Sequence, residues 1–213
     1  MEGIGTFFLV LTVGMSGDPY VVGIMGGAIV YGSMYLSGAH FNPAVSMALW
    51  LQGNLNSLRF LFYSLFQIIG ALGAAFMAFW LTGRTFGPAP APTVGSWQAF
   101  ILEGLFAYAL VMVYLGLPRR DPEQPHPALG LGVALSLSGT NYLIGPFTGA
   151  GVNPALGLGT LWVEAVIGNS HLEYLWIYVA GPVAGALLAV LSAGGRKKKP
   201  RETEKISHET ILS

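Results

Sequence analysis

The sequence predicts an all-α membrane protein in which six transmembrane helices and two re-entrant half-helices form an inverted repeat. The first observation is composition. Hydrophobic residues make up 53% and charged residues 9% of the 213 residues, whereas soluble domains carry about 25% charged residues. The second is that the triplet Asn-Pro-Ala occurs twice, at 42–44 and 153–155. The chain also lacks cysteine, which excludes disulfides and thiolate metal sites.

Six apolar segments account for the transmembrane helices. A span needs roughly 17–25 residues, and most of the segments reach that length with their flanks. They are Ile4–Met15, Tyr20–Leu36, Leu58–Thr82, Trp97–Leu117, Ala128–Ile144 and Leu172–Ala193. The first is short, so either its N-terminus lies among lipid headgroups or preceding residues are missing. Residues 1–15 have no basic region and include Glu2, so no cleavable signal peptide is predicted.

Two shorter apolar stretches follow the Asn-Pro-Ala triplets. Asn is a favoured N-cap because its side-chain oxygen accepts from free amides of the first turn. Pro at the first helical position loses no hydrogen bond. Each triplet therefore begins a helix, and the runs Ala44–Leu51 and Ala155–Val163 are too short to cross a bilayer. Two half-length helices with the same cap in a membrane protein indicate a pore.

The two halves of the chain repeat one another. Asn42 and Asn153 are 111 positions apart, as are Gly70-Ala71 and Gly181-Pro182, while Glu2 and Glu103 are 101 apart. We therefore expect one channel domain, 1–195, with repeats at about 1–82 and 97–194. Three spans per repeat is an odd number, so the second copy is inverted and the functional site is expected near the midplane.

The turns before the triplets are rich in Gly and Ala, so their backbone carbonyls can line a narrow path without side chains blocking it. Irregular backbone at this depth is tolerated only where it is buried or lines a wet cavity. The carbonyls predicted to line the pore are those of Gly38, Ala39, His40, Gly149, Ala150 and Gly151.

The distribution of Lys and Arg predicts the orientation. Nine of these residues fall on one side of a six-span protein, and Arg84 falls on the other. The nine are Arg59, Arg119, Arg120, Arg196, Lys197, Lys198, Lys199, Arg201 and Lys205. This asymmetry predicts that both termini and the 117–127 loop are cytoplasmic. Residues 196–213 are then a basic and polar cytosolic tail.

With its paired triplets and inverted repeat, the chain resembles the aquaporin and aquaglyceroporin family, the major intrinsic proteins. The resemblance covers residues 1 to about 193. Its features are the Ser-Gly-Ala-His and Thr-Gly-Ala-Gly approaches to the triplets, Glu2-x-x-x-Thr6-Phe7, Gln67-x-x-Gly70-Ala71, Glu103 and Gly181-Pro182. It implies a passive channel in the cell membrane, a homotetramer with one pore per subunit, and ion exclusion by half-helix dipoles and lining donors, as described for this family.

The resemblance and the residues together suggest roles for five side chains. The amides of Asn42 and Asn153 are expected to point at a passing oxygen atom, with helix capping alone as the alternative. Glu2 and Glu103 are expected to bind the amides of the re-entrant turns, although Glu2 is near enough to the terminus for a solvated position. For His40 we favour packing, with its carbonyl rather than its ring in the pore.

The constriction is where the sequence departs from the family. An Arg usually follows the second Asn-Pro-Ala, and this position is Leu156 here. By resemblance, the other constriction positions are Val22, Asn141 and Ala150. This set has no charge and one amide, which predicts a wider and less polar narrowing.

The leading functional hypothesis is a passive channel for water and small uncharged solutes, with a facilitator of ammonia, glycerol or another neutral solute as the alternative. No motif for a cofactor, metal or nucleic acid is present. A coupled transporter would need a chain of buried ionisable residues. A non-conducting structural membrane protein remains a further alternative, whereas an enzyme would need an acid–base, nucleophile or metal constellation that the spans lack.

Overall fold

A computed structural model describes residues 1–117, 125–168 and 171–194. Within these ranges the regular structure is helical, and the six predicted spans and two half-helices are all present. The α-helices are α1 Glu2–Ser16, α2 Pro19–Ser37, α3 Pro43–Leu51, α4 Ser57–Thr82, α5 Ser96–Gly116, α6 Leu129–Thr148, α7 Pro154–Ile167 and α8 Leu175–Ala193, with a 3₁₀ turn at Leu172–Tyr174. Arg119, Arg120 and the predicted tail, 196–213, lie outside the described residues.

The half-helices α3 and α7 begin as their sequences predict. The Asn42 side-chain oxygen accepts from Ala44 N at 2.8 Å, and that of Asn153 accepts from Ala155 N at 3.0 Å. Pro43 and Pro154 follow at the first helical position, where a missing N–H costs nothing. The two half-helices are therefore capped in the same way.

The helices pack in two equivalent sets. Helix α1 packs on α4 as α5 packs on α8, and α2 packs against α6. Glycines permit the close crossings: a Cβ added to Gly70 would lie 2.2 Å from Gly3 O, and one added to Gly185 would lie 2.0 Å from Gly104 O. Small residues of this kind let helix backbones approach closely in membranes. The repeat seen in the sequence is thus also a repeat of helix contacts.

The helices differ in how readily they would cross a membrane on their own. Within the described residues, four are long and apolar enough: Pro19–Ser37, Ser57–Thr82, Ser96–Gly116 and the stretch Leu172–Ala193. Helix α1 has 15 residues, and α6 has 20 but carries Asn141 and several hydroxyls. Their shortness or polarity is accommodated because both contribute one face to the interior of the bundle.

Candidate functional site

The two half-helices meet at their N-termini through a crossed pair of hydrogen bonds. Asn42 Nδ2 donates to Val152 O at 2.9 Å, and Asn153 Nδ2 donates to Phe41 O at 2.9 Å. Both Asn residues are buried, with 3% and 5% exposure. The sequence analysis expected these amides to point at a passing oxygen atom, whereas one hydrogen of each donates to a carbonyl of the opposite loop. The second N–H of each amide is available to a molecule in the cavity that both residues line.

The two loops that precede the half-helices share an unusual backbone. After Gly38 (φ 89°), Ala39 and Phe41 both have φ of 50°. The second loop repeats the pattern after Gly149, with Ala150 at 51° and Val152 at 27°. Positive φ is rare for residues with a side chain and is strained for a β-branched one. Such strain persists only where surrounding contacts hold the backbone.

The Glu2 carboxylate holds the first loop. Its oxygens accept from the Ser37 hydroxyl at 2.6 Å, His40 N at 3.1 Å and Phe41 N at 2.8 Å. Gln67 Nε2 adds a fourth donor at 2.7 Å. Glu2 is 4% exposed, so it lies in the interior rather than in the solvated position considered as an alternative.

The Glu103 carboxylate holds the second loop in the same way. It accepts from the Thr148 hydroxyl at 2.6 Å, from Gly151 N at 3.0 Å and from Val152 N. Its side chain is fully buried. A carboxylate removed from water is tolerated when it is hydrogen-bonded in this way. Each carboxylate thus satisfies two amides of a strained loop.

Three tyrosines that the sequence reasoning missed bind the loop carbonyls. The hydroxyls of Tyr63 and Tyr114 donate to Ser37 O and Ala39 O, each at 2.8 Å. The Tyr178 hydroxyl donates to Thr148 O at 2.6 Å. The Ala39 carbonyl therefore accepts one hydrogen bond from Tyr114, and its role as a pore ligand stays a prediction. A buried tyrosine hydroxyl usually has a hydrogen-bond partner. This rule is the signal by which the sequence could have pointed to these three residues.

Three adjoining cavities share lining residues. A central cavity encloses about 30 Å³. A first vestibule of about 480 Å³ lies beside the α1–α2 turn, and Val13, Val22 and Asn141 line both it and the central cavity. A second vestibule of about 580 Å³ lies beside the start of α4, and His40 lines both it and the central cavity. The cavities therefore mark a path that narrows between the two vestibules.

Most predicted site residues lie along this path. The central cavity is lined by Val22, His40, Asn42, Asn141, Ala150, Gly151, Asn153 and Leu156. Gly149 lines the first vestibule, and Gly38 lines the second. His40 Nδ1 lies 3.1 Å from Ser46 Oγ, and its ring packs edge-on against Tyr63. The His40 ring is thus packed as expected but also stands beside the path.

The four predicted constriction residues surround a narrow and apolar space. Val22, Ala150 and Leu156 are 3%, 5% and 6% exposed. Asn141 Nδ2 donates to Leu137 O of its own helix at 2.9 Å, so part of the only amide in this set is already used. The predicted loss of polarity agrees with this geometry. The predicted widening relative to the family stays a prediction.

The sequence reasoning also missed the remaining apolar lining. These residues are Leu9, Val13, Gly26, Val30, Leu110, Val133 and Leu137. On α2 and α6 the lining positions recur every four residues, as in the series Val133, Leu137, Asn141. This spacing places them on one helix face. The signal is weak because the other faces of these two helices also carry apolar residues.

Comparisons with known proteins agree with this architecture. The profile of the family described as Major intrinsic protein matches residues 17–192. The chain is 32% identical over 192 residues to Aquaporin AqpM of Methanothermobacter thermautotrophicus, covering 84% of this chain and 78% of the relative. It is 31% identical over 207 residues to Glycerol uptake facilitator protein-like 6 of Lactiplantibacillus plantarum, covering 90% and 94%.

A solved structure shares the fold. The aquaglyceroporin of Plasmodium falciparum superposes with a TM-score of 0.76 at 23% identity, covering 89% of this chain and 91% of that one. At this identity the likeness speaks for the fold, and the predicted fold class is confirmed. The profile match and the two relatives show more: this chain belongs to the major intrinsic protein family.

Proposed function

We infer that this protein is a passive membrane channel for water and/or small uncharged solutes. The observation that carries this conclusion is the central cavity, where Asn42 and Asn153 meet and which adjoins a vestibule at each end. Membership in a family of channels supports transport rather than catalysis. The apolar outer faces of the helices support its place as an integral membrane protein.

The same geometry supports exclusion of ions and protons. Each half-helix presents its N-terminus, equivalent to about half a positive charge, to the centre of the path. The described lining of the central cavity contains no Asp, Glu, Lys or Arg, because Glu2 and Glu103 face the loop amides instead. A cation is therefore repelled and finds no counter-charge. A neutral molecule with lone pairs can accept from the remaining Asn N–H groups.

Leu156 supports the alternative of a neutral-solute facilitator. It stands where the family usually has Arg, and it removes both a fixed cation and several donors from the constriction. One relative is named an aquaporin and another a glycerol uptake facilitator, so the names of the relatives favour neither. We expect Leu156→Arg to reduce passage of ammonia or glycerol more than passage of water. Equal reductions would place the selectivity elsewhere.

Further features of the assembly are proposals that rest on the family and the charge pattern. We propose a homotetramer in the cell membrane, with a channel domain at 1–195, a cytosolic tail at 196–213 and both termini cytoplasmic. Chemical crosslinking of the protein in native membranes tests the tetramer. Protease access to the tail in oriented vesicles tests the orientation.

Osmotic shrinkage of proteoliposomes tests the function. Purified protein should accelerate water efflux over protein-free vesicles. Val133→Trp places a large ring in the central cavity and should return efflux to the protein-free rate. Leu135→Trp is the matched control, because Leu135 lies two residues away on the same helix and is 67% exposed. A folded wild type without any flux would favour the non-conducting structural alternative.

A further inference from the structure

Glu164 is a buried carboxylate outside the path. It lies near the end of α7, is 5% exposed and lines neither the central cavity nor the two vestibules described above. The position 111 residues earlier is Gly53, which follows the end of α3, so the first repeat has no carboxylate at this place. The second half-helix therefore carries an ionisable group that the repeat does not require and the path does not use.

His171 holds this carboxylate. Its Nδ1 donates to Glu164 Oε2 at 3.2 Å, from a position just before the 3₁₀ turn that leads into α8. The imidazole ring also stacks on Tyr174, with ring centroids 6.4 Å apart. A buried carboxylate is costly without hydrogen-bond partners, so the position of Glu164 depends on this bond. The pair joins the end of α7 to the start of α8.

The segment between α4 and α5, residues 83–95, lies against the same carboxylate. A Cβ added to Gly87 would lie 3.0 Å from Glu164 Oε2 and 2.9 Å from the Leu161 side chain. Distances this short show that the backbone of the segment passes directly beside Glu164. Moving the carboxylate would therefore remove part of the surface on which the segment packs.

The α4–α5 segment also contacts the second re-entrant loop. Ala91 N donates to Phe147 O at 2.9 Å, next to the start of that loop. A Cβ added to Gly149 would lie 2.8 Å from Pro88 Cα, and Gly149 lines the first vestibule. The strained backbone of this loop persists only where its neighbours hold it, and the segment is one of those neighbours.

Phe86 extends from the same segment into the interior. Its ring fills the space beside Gly14 of α1, where an added Cβ would lie 2.4 Å from it. The ring also packs against the cluster that Leu156 forms with residues of α1 and α4, and Leu156 lines the central cavity. Residues 86–88 thus contact, in turn, the cavity wall, the buried carboxylate and the re-entrant loop.

We propose that Glu164 is a positioning residue of the channel: held by His171, it fixes the α4–α5 segment, and the segment in turn holds the second re-entrant loop and the cavity wall in place. This inference rests on the proposed channel function and adds to it a pair of residues outside the path. Without the bond between the two side chains, the segment should become more mobile. The re-entrant loop would then lose a support, and water flux should fall although the protein remains folded.

Paired variants separate the hydrogen bond from the volume of the side chains. Glu164→Leu and His171→Leu remove the acceptor and the donor, and buried polar pairs can often be replaced by apolar residues without loss of folding. Glu164→Gln keeps an acceptor, and His171→Asn keeps an N–H donor attached to Cγ, the atom that carries Nδ1 in histidine. Glu173→Leu is the matched control, because this carboxylate is exposed in the adjoining 3₁₀ turn.

Label mobility and water flux are measured in proteoliposomes, and the thermal midpoint confirms that each variant is folded. The chain lacks cysteine, so Thr93→Cys places a single spin label at an exposed position of the α4–α5 segment. Asn54→Cys places a reference label in the exposed turn after α3.

For Glu164→Leu and His171→Leu we expect greater mobility of the label at position 93 and unchanged mobility at position 54. Their water flux per folded protein should fall at least about twofold, the low end of what contact networks transmit. Glu164→Gln, His171→Asn and the Glu173→Leu control should keep the label mobility and the flux of the parent protein.

Each other outcome overturns a defined part of the proposal. A parent protein without water flux overturns the channel function itself, and the positioning role with it. A parent that conducts, with folded Leu variants that keep its flux, shows that Glu164 does not position the path, whatever the label does. Losses as large in Glu164→Gln as in Glu164→Leu show that the bond to His171 is not the positioning contact. If Glu164→Leu fails to fold, His171→Leu decides the question, because the His171 side chain is exposed.

Discussion

The two re-entrant loops, 37–42 and 148–153, reach the same geometry with partly different side chains. In both, a Gly with positive φ is followed by two further residues with positive φ, at positions 111 apart. In both, a buried carboxylate accepts from a hydroxyl and two backbone amides, and the loop ends in an Asn that donates to the other loop. The shared contacts are those that fix the backbone.

The differences lie around the carboxylates. Gln67 donates to both Glu2 and Ser46 in the first repeat. The equivalent position in the second repeat is Tyr178, which donates to the Thr148 carbonyl and not to Glu103. The first loop therefore has an adaptable amide beside its carboxylate, whereas the second does not. The comparison teaches that the loop geometry depends on the carboxylate, while the side chains around the carboxylate can differ.

The largest expected effects are those of Glu103→Gln and Glu2→Gln. In each variant the new amide presents an N–H to a donor, so at least one buried backbone amide loses its acceptor, at about 1–3 kcal/mol. Gln67 can rotate in Glu2→Gln, since its Oε1 has no partner among the described residues, but this relieves only its own contact, because Glu2 Oε2 also accepts from Phe41 N. We expect both variants to lower the thermal midpoint in detergent and the water flux.

Glu173→Gln is the control for loss of a carboxylate, because Glu173 lies exposed in the 3₁₀ turn before α8. It should match the wild type in both measurements. A wild-type midpoint and water flux in either variant would contradict the role given to its carboxylate in holding the loop.

A second prediction concerns the charge at the meeting point of the half-helices. Asn153→Asp places a carboxylate oxygen against Phe41 O, where the amide now donates, and adds a negative charge between the two positive helix ends. We expect either cation conductance or loss of the folded protein. Electrical recording on folded, assembled protein in planar bilayers measures the conductance.

Asn42→Asp is the matched variant, because Asn42 makes the equivalent bond to Val152 O. The two variants should conduct cations to a similar extent, since both half-helix ends face the same cavity. Unchanged water flux without ion current in either folded variant would show that the cation barrier lies outside this junction.

Much of the fold follows from local sequence rules, but the end of a helix can depend on tertiary contacts. The caps at Asn42 and Asn153 follow from the triplets alone. The end of α6 does not: the apolar segment was predicted to stop at Ile144, whereas the helix continues through Pro146 to Thr148. Thr148 is held there by Glu103 and Tyr178, and no local pattern reveals those partners.

The sequence predicted the site residues that occur at equivalent positions of the two repeats. It did not predict the features of the site that depend on tertiary packing. The repeat points to Asn42, Asn153, Glu2 and Glu103, and all four lie at the re-entrant loops. The crossed bonds of the Asn amides depend on how closely the two loops approach. The shape of the central cavity depends on tertiary packing, such as that of Leu156 in one cluster with residues of α1 and α4, and no sequence pattern reveals this packing.

The smallest expected effect is that of Tyr178→Phe. The ring should stay in place, because it fills the space beside Gly151, where an added Cβ would come within 2.5 Å of it. Only the bond from the hydroxyl to Thr148 O is lost, at about 1 kcal/mol. We expect a modest fall in the thermal midpoint and a small change in water flux. Tyr63→Phe removes the bond to Ser37 O at a half-buried site that water can reach, so its effect should be smaller still. A loss for Tyr178→Phe as large as that for Glu103→Gln would mean that the tyrosine, rather than the carboxylate, fixes the second loop.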